Sequence, residues 1–273
     1  MSETPDSQIL VSEIFSAIQG EAALVGERQI FVRLTGCNIR CAYCDQPEAL
    51  ERAPGPCRIE QTPGRRDWLT VASPLAIDSV IRAVDALWEA LPHHSISLTG
   101  GEPLMQQARV CELAAGLARG GRQVMLETNG TLVAALSRAL PWLSHVSMDI
   151  KLASVDGARV EPHTQADFLD AAVGAGAITW VKIVMGASTD DSEFDEAIDM
   201  VAGVSLRHGL CGEPQPAGQV DRRPEIYLQP VTPFGAVTTA PSPDRVLALQ
   251  ERALRRYPRV RVVPQTHKAI GQL

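Results

Sequence analysis

The chain has 273 residues, 45% of them hydrophobic and 21% charged, enough to bury a large core in one α/β domain. Its 25 Lys and Arg against 32 Asp and Glu leave a net charge of −7, the wrong sign for a protein that works by gripping phosphates. Aromatics make up 4% of the chain, too few for base-stacking platforms, so a small-molecule substrate is expected and a nucleic acid is not.

The first eight residues are polar, and no apolar run is long enough to span a bilayer. A cytoplasmic protein without membrane contact is the expectation. There, thiols stay reduced, and six cysteines read as metal ligands or core residues before they read as disulfides.

Taken in order, apolar runs rich in β-branched residues lie at Ile9–Ile18, Gln29–Leu34, Ser95–Leu98, Gln123–Leu126, His145–Ile150, Thr179–Met185, Glu225–Leu228 and Arg259–Val263. Helical patterns fall between several of them. Ser73-Pro74 reads as an N-cap and first-turn proline for a helix with Ile77, Val80, Ile81, Val84, Leu87, Trp88 and Leu91 on one face. Further helices are expected over Leu104–Arg119, Ser192–Arg207 and Asp244–Arg256. Strand and helix in alternation predict a parallel sheet covered by helices. Gln46–Ala72 and His208–Arg223 are rich in Gly and Pro and are expected to be loops inserted into a single domain of residues 1–273.

Directly after the second run, Thr35-Gly-Cys-Asn-Ile-Arg-Cys-Ala-Tyr-Cys-Asp45 carries CxxxCxxC. Three thiolates on one short loop can hold three corners of a cubane iron–sulfur cluster and leave the fourth iron open. A structural zinc site asks for four protein ligands, usually as two pairs, and no second pair exists. Cys57, Cys111 and Cys211 are isolated; Cys111 reads as core, the other two as incidental.

Polar groups follow the other runs. Thr99-Gly100-Gly101-Glu102-Pro103 offers two glycines that admit close backbone approach and a carboxylate beside them. Glu127-Thr128-Asn129-Gly130, Asp149 with Lys151, Gln229, and Gln265-Thr266-His267-Lys268 end later runs. Any one cluster is ordinary turn chemistry. Five at the carboxyl ends of successive parallel strands match a barrel-type active site.

The cysteine loop together with GGEP resembles the radical S-adenosylmethionine superfamily. The resemblance implies an incomplete parallel (β/α) barrel, open on one side, with a 4Fe–4S cluster on Cys37, Cys41 and Cys44. It also implies that S-adenosylmethionine chelates the open iron and, on receiving an electron, yields a radical that takes a hydrogen atom from substrate. Tyr43 matches the aromatic the family places before the third cysteine. Asp45, Thr99, Gly100, Gly101, Glu102, Thr128, Asn129, Asp149 and Lys151 are then the implied cofactor contacts.

Glu13-Ile-Phe-Ser-Ala-Ile-Gln-Gly-Glu21, Phe31-Val-Arg-Leu-Thr-Gly-Cys37, Leu228-Gln-Pro230 and Gln265-Thr-His-Lys268 narrow the resemblance to the 7-carboxy-7-deazaguanine synthases of the queuosine and 7-deazapurine pathway. These carbon–nitrogen lyases contract 6-carboxy-5,6,7,8-tetrahydropterin with loss of ammonia. Gln19, Gly20, Glu21, Arg33, Gln229 and His267 are the implied substrate contacts, with Arg33 a planar donor for the substrate carboxylate. The other role open to Arg33, inside an apolar strand, is a structural ion pair. Where the family has a hydroxyl that helps hold magnesium, this chain has Gln46, whose amide oxygen is the candidate ligand. A homodimer and a flavodoxin- or ferredoxin-type electron donor are implied as well. Three rival readings stay open: an activase that forms a glycyl radical on a partner protein, another radical S-adenosylmethionine enzyme with a different substrate, and a non-catalytic metal-binding protein.

Overall fold

The computed structural model describes residues 7–53, 55–157, 160–210 and 221–272. Its strands begin with β1 (Gln8–Ile9), β2 (Val11–Ile18), β3 (Arg28–Leu34), β4 (Gly55–Glu60), β5 (Trp68–Ser73) and β6 (Leu75–Ala76). They continue with β7 (Ser95–Gly100), β8 (Val124–Thr128), β9 (His145–Ile150), β10 (Ile178–Met185), β11 (Glu225–Pro230) and β12 (Val260–Val262). The helices are α1 (Ile77–Ala90), α2 (Gln107–Leu117), α3 (Val133–Ala139), α4 (Ala153–Asp156), α5 (Pro162–Gly174), α6 (Asp191–Arg207), α7 (Pro243–Leu254) and α8 (Thr266–Ala269).

Ten strands join one sheet in the order β12-β11-β10-β9-β8-β7-β3-β2-β4-β5. From β3 through β12 every neighbouring pair is parallel. Among the described residues nothing pairs β12 with β5, so the sheet stays open, as expected. The central strands are buried along nearly their whole length, β7 as Ser-Ile-Ser-Leu-Thr and β10 as Thr-Trp-Val flanking Lys182. Strands covered on both sides read as unbroken apolar runs, which is why the sequence displayed them. The helices turn one stripe inward: Ile77, Val80, Val84 and Leu87 of α1, and Phe168, Leu169, Ala172 and Val173 of α5. No helix of the described residues is long and apolar enough to cross a membrane.

Three features differ from the sequence reading. Gln46–Ala72 is not a loop: after a short turn at Pro47–Ala49 it forms the β4–β5 hairpin, which extends the sheet beyond β2. Its apolar alternation is short, Cys57 and Ile59 of β4 opposite Val71 and Leu69 of β5. On the other face Glu60 is buried, and its carboxylate accepts from the backbone N–H of Ser16 at 2.9 Å and of Arg66 at 2.8 Å. Ser73-Pro74 does not cap α1. Ser73 ends β5, its hydroxyl accepts from the Val11 N–H at 3.0 Å, and the helix begins at Ile77. Helices α3 and α5, unmarked in the sequence, fill the β8–β9 and β9–β10 crossovers. The other expected insert, His208–Arg223, falls mostly outside the described residues, as does Cys211.

Glu60 is the bolt between hairpin and barrel. Glu60→Ala leaves two backbone donors without their acceptor, and unfolding free energy should drop by about 1–3 kcal/mol in urea titration. An unchanged midpoint would mean that the hairpin is not held this way.

Candidate active site

The loops at the carboxyl ends of the parallel strands, with the end of β2 and the C-terminal segment, line one cavity of about 370 Å³. Every residue implied above as a cluster ligand, cofactor contact, substrate contact or magnesium ligand lines it except Glu102. This volume and concavity suit a small-molecule site.

The cysteine loop leaves β3 and is pinned by backbone bonds: Gly36 N–H to Ala49 O at 2.8 Å, Cys37 N–H to Leu50 O at 3.0 Å, Ala42 N–H to Asp156 O at 2.9 Å. Across from it, Glu102 N–H reaches Gly36 O at 2.7 Å and Gly101 N–H reaches Leu34 O at 3.1 Å. A Cβ on Gly100, at φ +130°, would stand 2.0 Å from Leu34 O, and one on Gly101 2.3 Å from Gly36 O. The two glycines of GGEP therefore admit the backbone of β3 and the cysteine loop itself.

Cys37, Cys41 and Cys44 are half-buried free thiols on the cavity wall. Cys57 is buried in the hairpin and Cys111, half-buried rather than core, donates to Arg138 O. Burial pushes the Cys37 thiol up and the Cys41 thiol up to about 12. As thiolates these groups need a cationic partner in the cavity. Among the described residues no three such side chains gather around a single-ion site, and three thiols spread over one loop are the donor set of a cluster that keeps one corner open.

Glu102 faces away from the cavity. Its carboxylate accepts from Leu104 N–H at 3.0 Å, Asn129 N–H at 2.8 Å and the Thr128 hydroxyl at 2.9 Å, tying the end of β7 to the end of β8. Burial pushes this carboxyl up to about 7 against the pull of those donors. On the cavity side Glu127, not selected from the sequence, accepts from Gln19 Nε2 at 3.0 Å and from the Ser97 and Thr99 hydroxyls at 2.9 Å. From α5, buried Gln165 donates to Asn129 O and Asp149 O at 3.1 and 3.0 Å, fixing two strand ends at once.

A chain of charge runs across the floor. Lys151 Nζ lies 2.9 Å from Asp149 Oδ2 and 5.4 Å over the Tyr43 ring; Lys182 Nζ lies 3.1 Å from Asp149 Oδ1 and also pairs with Glu21. Burial alone would lower both lysines, but Asp149 (with Glu21 for Lys182) holds them above their ordinary range. Burial would likewise raise Glu21, yet Lys182, Gln265 Nε2 at 2.8 Å and His267 bring it down to about 2. The chain has only three lysines, 151, 182 and 268. All three line the cavity. That compositional signal could have found Lys182.

The C-terminal segment closes the far wall. Thr266 N–H donates to Gly20 O at 2.9 Å, and a Cβ on Gly20 would stand 2.1 Å from His267 Nδ1. Burial lowers the His267 imidazole, favouring its neutral form, against the pull of Glu21 and Asp45. Lys268 Nζ holds Asp45 at 2.8 Å. Arg33 shares its Nε with Glu13 at 3.0 Å while lining the cavity, so the structural ion pair and the exposure to ligand coexist. Gln229 donates to Glu21 at 3.3 Å, and its buried Oε1 meets no hydrogen-bond donor among the described residues. A buried acceptor without a donor is costly, and a small turn of the amide toward the cavity that Gln229 lines can bring it to a ligand donor.

The family model of the radical SAM superfamily matches residues 31–201. The 7-carboxy-7-deazaguanine synthase of Geobacter sulfurreducens is 39% identical over 265 residues, 96% of this chain and 97% of that protein. Its counterpart in Methanothermobacter thermautotrophicus is 30% identical, covering 96% of each. Among solved structures, QueE from Escherichia coli superposes with a TM-score of 0.59 at 21% identity over 95% of both chains, a likeness of fold.

Two outcomes follow from this geometry. Gly20→Ala should push His267 off the end of β2, and amide exchange at Thr266 should accelerate without global unfolding; unaltered exchange would show that the contact is slack. Glu21, depressed below its ordinary 4.5, contributes stability that is complete above that pH and is lost as pH falls through about 2. The stability gap between wild type and Glu21→Gln should therefore close across that acid window. A gap independent of pH there would contradict the ion pair.

Proposed function

The chain belongs to the radical SAM superfamily and to the family of the 7-carboxy-7-deazaguanine synthases, and from that premise we propose that it converts 6-carboxy-5,6,7,8-tetrahydropterin to 7-carboxy-7-deazaguanine with loss of ammonia. One observation carries the reading: the three thiols and the Glu21–Gln229–His267 wall share a single cavity.

In this reading Cys37, Cys41 and Cys44 hold a 4Fe–4S cluster. When bound, the cluster and S-adenosylmethionine supply one-electron chemistry, the removal of a hydrogen atom from substrate. The protein places the partners. Asp149 and Lys151 present a carboxylate and an ammonium to the polar groups of S-adenosylmethionine, beside Tyr43. Thr99, Gly100, Gly101, Thr128 and Asn129 line the adjoining wall. Glu102 supports that wall from behind, through Thr128 and Asn129.

At the substrate end Glu21 stays ionised and accepts from the donor edge of the pterin, while the Gln229 amide, turned toward the cavity it lines, accepts one further N–H. Gln19 and Gly20 shape this edge. Arg33 and His267 receive the substrate carboxylate, and Gln46 offers an amide oxygen to magnesium beside Asp45. A flavodoxin- or ferredoxin-type donor, a cytoplasmic setting and a homodimer complete the reading; these three rest on the family alone. The activase alternative has no use for an acceptor wall at Glu21 and Gln229.

Anaerobically reconstituted protein should bind about four irons per chain and, with reductant and S-adenosylmethionine, release ammonia and 7-carboxy-7-deazaguanine from the carboxypterin. The same assay with and without magnesium reads out Gln46. Formation of 5′-deoxyadenosine without that product would sink the substrate assignment, and tight zinc binding without iron would sink the enzyme. Arg33→Ala and His267→Ala should lower kcat/KM by ~10–100-fold, as loss of a hydrogen bond to a charged group does, with iron content intact.

A further inference from the structure

Lys182 stands where the two ends of the cleft meet, and nothing in the reaction as described requires it. Strand β10 is otherwise apolar here, with Trp180, Val181, Ile183, Val184 and Met185 all buried. A lysine in such a strand costs stability unless its charge is matched. The sheet supplies one match by register. Lys182 lies beside Asp149 on the neighbouring parallel strand, and the two side chains meet at 3.1 Å. The second match comes from far along the chain: Glu21, just past β2, turns its carboxylate onto the same ammonium. Asp149 in turn holds Lys151 with its other oxygen at 2.9 Å. An ammonium has three donors, so one group can serve both carboxylates.

Resting on the function proposed above, we propose that Lys182 is a positioning residue for substrate recognition: it fixes the Glu21 carboxylate at the substrate end and anchors it, through Asp149, to the cofactor end. Glu21 has other neighbours, Gln265 at 2.8 Å and Gln229 at 3.3 Å, but these are neutral. The charged and titratable groups facing it are Lys182 from β10 and His267 from α8, with Asp149 of β9 behind Lys182. His267 is held toward its neutral form by burial, so Lys182 is the fixed counter-charge. Without it, Glu21 keeps its burial and loses the partner that offsets it. Its carboxyl then takes up a proton at higher pH, and one of its two oxygens becomes a donor facing the pterin donors.

The test is the affinity of the anaerobic holoenzyme, loaded with S-adenosylmethionine, for the carboxypterin, measured by calorimetry across the acid to neutral range. Lys182→Met should raise Kd by ~10–100-fold, the usual effect of removing a group that orients a binding side chain. It should also make Kd rise as pH falls, where wild type is flatter; a merely structural lysine would not move that profile. Iron content and S-adenosylmethionine affinity should hold, because Lys151 still pairs with Asp149. Glu21→Gln should weaken substrate binding comparably, and the double variant should be no worse than Glu21→Gln alone, since Lys182 acts through Glu21. That comparison stands even where Lys182→Met alone fails to fold, because the double variant leaves no lone carboxylate at position 21. Losses that multiply in the double variant, or a Lys182→Met protein that binds like wild type, would overturn the role of Lys182. A wild-type holoenzyme that does not bind the carboxypterin at all would overturn the proposed function, and this role with it.

Discussion

Four charged side chains, largely withdrawn from solvent, stand in a row along the floor of the cleft: Glu21, Lys182, Asp149 and Lys151. Buried charges are tolerated only when each meets an opposite one in good geometry, and removing any member strands its neighbour. These charges are all offset only where the end of β2 and the strands β9 and β10 come to one place. Gln229 from β11 and Gln265 beyond β12 are drawn to the same carboxylate. In this way the requirement that stabilises the carboxyl edge of the sheet also assembles the cleft.

The second constraint is steric. The cysteine loop lies against the end of β7 so closely that Gly100 and Gly101 leave no room for a side chain, and Glu102 then locks that corner to β8. GGEP is thus a joint between the loop that carries the thiols and the wall that would hold a cofactor. Gly20 plays the matching part at the other end, where it admits His267. Both joints turn on a glycine that admits a segment remote in sequence, which explains why short motifs far apart in the chain set the shape of one cavity.

Much of this was legible beforehand. Parallel strands buried on both faces show as apolar runs, and the thiols, GGEP and QTHK are local motifs that need no tertiary knowledge. The hairpin at β4–β5 was not legible, because its apolar alternation is only two residues long on each strand and its other face carries Arg58, Glu60 and Thr70. Glu102 was placed in the cleft by proximity to its glycines; backbone donors at Leu104 and Asn129 turn it the other way. Lys182 was missed for a different reason. Its partners are remote in sequence, and only strand register puts Asp149 beside it. A chain with three lysines, one of them inside an apolar run, did carry that hint.

The central claim is that cluster, S-adenosylmethionine and pterin share this one cavity. The most direct measurement is an anaerobic crystal structure of the reconstituted protein with S-adenosylmethionine and the carboxypterin bound. The account predicts iron on the sulfurs of Cys37, Cys41 and Cys44 with no fourth protein ligand, and the pterin donor edge on Glu21 and Gln229 with its carboxylate toward Arg33 and His267. A cluster closed by a fourth side chain, or a pterin seated outside this cavity, would contradict it.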